Sequence, residues 1–221
     1  VMTQPLRRLS MPRAIASLVL REMTTTYGSS AGGYFWLIAE PVLSIGLLTL
    51  VFSLTFHAPA LGTNFPIFYA TGILPYLTYM LMGRRIGTAI AYSRPLLAYP
   101  RMCFIVAILA RAVLTMMPQV VVFYLVIAGI ELTFATHTIH DYRHMVGSFA
   151  MAGALGLGIG TFNCFLWSLF PDWERIWGIL NKPLFLISAI LFTVEDLPAA
   201  WQRWLWFNPL VHVTAEMRRG F

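Results

Sequence analysis

Long apolar runs separated by short joints rich in arginine and proline set the rhythm of this chain. Ahead of the first run, Ile15, Val19, Met23 and Tyr27 recur at every fourth residue with Leu18 alongside. Arg21, Glu22, Thr24 and Thr25 occupy the rest of the wheel. That period predicts an amphipathic helix over 11–28, too polar to cross a bilayer and ended by Gly28. Five apolar runs follow, over 34–56, 65–86, 102–130, 145–170 and 177–194. A bilayer core of about 30 Å takes roughly 20 helical residues, so the first four are long enough to span. The runs are continuously apolar rather than alternating, which argues helices and against a sheet barrel. The expected fold is an all-α polytopic membrane protein, one transmembrane domain over 1–221.

The fifth run is different. Beyond Lys182 and Pro183 only Leu184 to Val194 stays apolar, about 17 Å of helix. Either Lys182 snorkels and the span starts further back, or the segment enters partway and turns. Residues 195–221, with Trp201, Trp204 and Trp206, suit an outer re-entrant or interfacial segment.

Composition agrees with lipid as the main solvent. The chain has 221 residues, 58% hydrophobic and 11% charged, where soluble domains carry about 25% charged. The net charge of +6 comes from arginines scattered between apolar runs rather than massed on one face, so nucleic acid is not the expected partner. Arg7, Arg8, Arg13 and Arg21 precede the first run, Arg84, Arg85, Arg94 and Arg101 lie around the second joint, and Arg175 and Lys182 around the fourth. The positive-inside rule then places the N-terminus and residues 93–102 in the cytoplasm. Five spans leave the other end outside.

The joint "SRPLLAYPRM" holds Leu96, Leu97 and Tyr99 between Pro95 and Pro100, flanked by Arg94 and Arg101. Two prolines limit it to a helix of one or two turns. Such a turn either docks a protein or packs on neighbouring helix ends. Glu40 and Arg111 sit at membrane depth, where they form a relay or, more cheaply, pair or snorkel. Pro41, Pro75, Pro118 and Pro183 can kink their helices. Ala152, Gly156 and Gly160 make a small-residue face for close helix approach. Tyr69, Tyr76 and Tyr79 share one face of the second run. They are candidates to line a path for a hydroxylated cargo, with belt or core packing as the alternative.

Other chemistry is sparse. The one lysine, Lys182, precedes Pro183, so these residues build no phosphate-binding G-x-x-x-x-G-K-[ST] loop. Cys103 and Cys164 each lie in an apolar stretch and are expected to be packing residues. His137, His140 and His144 have a spacing that can bind metal or simply make a polar loop.

The order of parts resembles the membrane subunit of type-2 ABC exporters, nearest the capsular-polysaccharide and O-antigen branch. The elements that carry the resemblance are "GILPY", "RPLLAYP", "LARAVL", "NPLVH" and "RRGF", from about residue 15 to the end. It implies a six-helix permease that dimerises on two copies of a separate ATPase, which uses the ATP and Mg. The permease itself binds no cofactor. The joint Arg94 to Arg101 becomes the coupling helix, and the amphipathic helix, with Arg21, Glu22 and Tyr27, the cytoplasmic gate. Arg84 and Arg85 become candidate headgroup contacts. The cargo is a lipid-linked glycan, with periplasmic and outer-membrane export components as further partners, in the bacterial inner membrane. The family's last span has no counterpart here, so a truncated copy is expected. A drug or lipid exporter of the same architecture and an ion-coupled carrier are the alternatives.

Overall fold

The structure, a computed structural model, describes Val19 and residues 31–56, 58–62, 64–90, 104–134, 140–170 and 172–221. The gate-helix residues Arg21, Glu22 and Tyr27, the joint residues Arg94, Pro95, Leu96, Leu97, Tyr99, Pro100 and Arg101, and also Cys103 and His137 lie outside them. The described elements are all helical: α1 Ala31–Thr55, α2 Phe65–Gly87, α3 Phe104–Phe134, α4 Tyr142–Leu169, α5 Trp173–Ile187, a 3-10 turn Val194–Asp196, α6 Ala199–Leu205 and α7 Pro209–Arg218. Helices α1 to α4 are long and apolar enough to cross a membrane.

Local chemistry explains where several of them start. Asp141 accepts a hydrogen bond from the Arg143 N–H (3.0 Å) and caps α4. Asn208 accepts one from the Leu210 N–H (3.1 Å), and Pro209 opens α7, where its missing N–H costs nothing. Each of Pro41, Pro75, Pro118 and Pro183 lies within a continuous helix.

Helix α2 is the hub, packed against α1, α3, α4 and α7, with its widest seam on α4. The small-residue face of α4 makes that seam possible. A Cβ at Gly156 would lie 2.5 Å from Met82 Cβ, and one at Gly160 2.7 Å from Ile86 Cβ. Only hydrogen fits there. The main core joins Phe68, Ile73, Leu74 and Tyr76 of α2 to Val122 and Val126 of α3 and Leu210 of α7.

The fifth apolar run folds differently from its expected bounds of 177–194. Its helix starts further back, at Trp173, leaves Lys182 exposed within it, and stops at Ile187. Those 15 residues span about 22 Å, short of a bilayer core. Ala189 takes a left-handed φ of 53°, and Ile190 to Thr193 run on irregularly although largely buried. Backbone leaving a helix inside a core needs other partners. Thr214 Oγ1 donates to the Ser188 carbonyl (3.1 Å), and Arg218 donates from Nη2 to Ile190 O (3.1 Å) and from Nη1 to Phe192 O (2.9 Å). α7 thus holds the irregular stretch. Asn208 Nδ2, at the junction of α6 and α7, donates back to Ile187 O (3.2 Å).

Candidate functional site

The C-terminal half of α2 borders an open cavity of about 280 Å³ whose other lining comes from α4 and α5. Tyr79, Trp167 and Trp177 supply aromatic walls, Arg84 and Glu174 opposite charges, and Asn181 a carboxamide. Two side chains of this wall hold a buried polar atom with no hydrogen-bond partner among the described residues, Trp167 Nε1 and Asn181 Oδ1, and Asn163 of α4 holds a third, Nδ2. Buried polar atoms are nearly always paired, so three unpaired ones on α4 and α5 set this part of the protein apart. A hydroxylated ring supplies both hydrogen-bonding senses along its edge and an apolar face for an indole. Asn163 and Asn181 are themselves held in place: Asn163 Oδ1 accepts from Trp173 Nε1 (3.0 Å), and Asn181 Nδ2 donates to Trp177 O (3.0 Å).

The three tyrosines expected on one face are all buried, yet only one of them borders this space. Tyr79 lines the cavity. Tyr76 stacks edge-on against Phe185 at 5.3 Å and donates from its hydroxyl to Asn181 O (3.3 Å). It therefore braces the cavity wall from behind. Tyr69 is enclosed by Phe52, Phe65 and Phe68, with ring centroids 5.2 to 6.4 Å away, and is core.

The arginines at the end of α2 divide as well. Arg84 is exposed and reaches the cavity, whereas Arg85 offers its carbonyl to Arg111 of α3. Arg111 is buried, and its Nη1 donates to Arg85 O (2.8 Å) and Thr88 Oγ1 (2.9 Å). It sets a cation on the C-terminal carbonyls of α2, where the helix dipole favours one. Among the described residues no ion pair joins Arg111 to Glu40, which is exposed on α1.

At the opposite end of α2, histidines meet carboxylates, and His144 stands between two, with Asp141 Oδ2 3.7 Å from its Nε2. His140 pairs with Glu131, and His144 Nδ1 lies 2.7 Å from Glu216 Oε1. The hydrogen bond from His144 holds the Glu216 carboxyl below its ordinary value. Cys164 is a buried free thiol.

No protein-family model matches the chain. Individual relatives do. The polysialic acid transport protein KpsM of Escherichia coli is 30% identical over 206 residues, which is 93% of this chain and 80% of that one. The capsule polysaccharide export inner-membrane proteins BexB of Haemophilus influenzae and CtrC of Neisseria meningitidis serogroup B are 27% and 26% identical, over 95% of this chain and 79% of theirs. The chain belongs to the family of capsule polysaccharide export inner-membrane proteins. As a member of that family it is a permease-type, multi-pass protein of the inner membrane, of the type-2 ABC exporter class.

In this member of the capsule-export family, sequence reading finds Tyr79 and Arg84 but passes over Trp167, Glu174, Trp177 and Asn181. A usable signal lay in the carboxamides: Asn163 and Asn181 stand within apolar runs, where an unpaired amide is costly. Together they mark the helices that turn toward a polar space.

Proposed function

We propose that the chain is the permease subunit of an ATP-driven exporter that moves a lipid-linked polysaccharide, of capsule or O-antigen type, from cytoplasm to periplasm. Membership of a family whose relatives are named for polysaccharide transport is the observation that carries this reading. The aromatic cavity beside α2 supports it, since it suits a sugar better than a hydrocarbon. The chain works without catalytic chemistry of its own. A second copy of it pairs with the first, and two copies of a separate ATPase bind the cytoplasmic side and spend ATP with Mg. Further export components in the periplasm and outer membrane receive the product.

In this mechanism the joint between α2 and α3 takes the push of the closing ATPase through Leu96, Leu97 and Tyr99, between Arg94, Pro95, Pro100 and Arg101. Rigid transfer needs α2 and α3 to move together, and the bonds from Arg111 to the end of α2 support that. Arg21, Glu22 and Tyr27 belong to a helix that gates the cytoplasmic opening. Arg84 and Arg85 stand where a lipid-linked phosphate arrives, and Tyr79 where the first sugars follow.

The test is the double substitution Leu96→Asp with Leu97→Asp. It is expected to abolish export and co-purification of the ATPase while the permease still inserts. Normal export by that variant, or export by wild type with ATP exhausted and the proton gradient intact, removes the reading.

A further inference from the structure

Helices α3 and α4 both pack on α2 but scarcely on each other. Between them lies a groove of about 480 Å³, larger than the cavity beside α5. Phe123 and Phe149 meet edge-on at its floor, with ring centroids 4.7 Å apart, while Tyr124 and Val146 stand exposed along its lips. From Met116 to Glu131 it follows α3 for roughly 22 Å, more than the ~15 Å that one leaflet contributes to a bilayer core.

Only one end of the groove is polar. Glu131, His140 and Tyr142 line it there, at the end of α3 far from Arg111. Glu131 belongs to the last turn of α3, where the helix dipole favours a cation, and no basic residue shares that turn. Its Oε1 faces the His140 imidazole, which Phe221 braces edge-on at 5.2 Å, and 27% of the Glu131 side chain is still exposed. Among the described residues no lysine or arginine pairs with it. A partly open carboxylate at the negative end of a helix attracts a positive charge. Arg143, exposed on the first turn of α4, follows Tyr142 and adds a cation to the same rim.

We propose that this groove holds a phospholipid of the surrounding bilayer, with one acyl chain along Phe123 and Phe149 and the primary ammonium of an ethanolamine headgroup on Glu131. Charge complementarity selects that occupant. An apolar chain alone leaves the carboxylate without a cation, and a purely anionic headgroup sets like charges together, whereas an ammonium makes a charge-assisted hydrogen bond. The phosphate of the same zwitterion meets Arg143 and the Tyr142 hydroxyl, and tyrosine suits headgroup depth. Bound there, the lipid fills a seam that the side chains of α3 and α4 leave open. The inference goes beyond the export reading and does not depend on it, since it needs only that α3 and α4 cross a membrane.

The experiment titrates the full chain in detergent with phosphatidylethanolamine or phosphatidylglycerol of identical acyl chains, and native mass spectrometry counts the lipids retained. Wild type is expected to hold one phosphatidylethanolamine about tenfold more tightly than phosphatidylglycerol, the size of one charge-assisted contact. Glu131→Gln should bring the two affinities together. Ala150→Trp fills the groove from an exposed position and leaves Glu131 in place, so it should release both lipids. If Glu131→Gln fails to insert, the wild-type preference and its loss in Ala150→Trp decide. Equal affinities in wild type, or an undiminished preference in either variant, overturn the lipid site. Wild type that retains neither lipid, because a second copy or another helix covers the groove, overturns it as well. Export by the protein is measured separately, so the transport reading stands whichever way the lipid falls.

Discussion

Helices α1 and α2 are both membrane-length and sequential, yet they live in different surroundings. α1 is the more apolar, and 11% of its spanning stretch is buried in the protein against 72% for α2. In water that order would be reversed. Leu43, Leu47, Leu50 and Leu54 of α1 face outward at no cost because lipid is as apolar as they are. α2 trades apolar character for Gly72, Tyr76, Thr78 and Gly87, residues that fit closely or bond rather than merely avoid water. Apolarity therefore marks the surface of this protein, and mixed, small or hydroxylated residues mark its working interior.

The sharpest way to break the contrast is at glycines. Leu at both Gly156 and Gly160 drives side chains into Met82 and Ile86, at roughly 1–3 kcal/mol per overpacked site and more if the backbones part. Gly46 of α1 has nothing within 4 Å of an added Cβ, so Gly46→Leu is the control, with a thermal melt in detergent unchanged. Equal losses from both would erase the distinction. Next comes Leu47→Arg, expected to cost about 3 kcal/mol in a membrane-insertion assay although it touches no core. The same residue changed to Ala should shift the melt by less than about 0.5 kcal/mol.

Arg111→Met tests the anchored end of α2. It removes charge-assisted bonds to Arg85 O and Thr88 Oγ1, and about 2 kcal/mol of stability is expected to go with them. The smallest effect belongs to Glu216. Its folded pKa is lowered, so its contribution is complete above the carboxyl's ordinary value and disappears as the pH falls through the folded one. Glu216→Gln should therefore lower the melting temperature at pH 7 and make no difference in acid. His144, Asp141 and Arg219 are the charged groups around it, and a gap between the two proteins that persists in acid would contradict the pairing.

Sequence periodicity finds the four long helices and the close-packing face of α4 because those depend on local pattern and on the length of a bilayer. It misplaces the fifth run for a physical reason. The stretch beyond the end of α5 is held by Arg218 and Thr214, some 26 residues or more further on, which take the carbonyls of Ser188, Ile190 and Phe192. The cavity was legible only in part for the same reason. Tyr79 and Arg84 stand on one helix at readable spacing, but Trp167 and Asn181 join them only through packing of α4 and α5 against α2. Tyr69 shares the stripe of Tyr76 and Tyr79 and still ends as core, since Phe52 and Phe65 close over it.

Gly87 has one more implication. The indole of Trp167 lies where its Cβ would be, 2.4 Å from the nearest ring carbon, and the other side of that indole is cavity wall. A single methyl at 87 would thus displace a ring that also lines the cavity. The same flat plate joins the cavity to the last turn before the joint to α3, so anything that fills the cavity against Trp167 would lean on that turn.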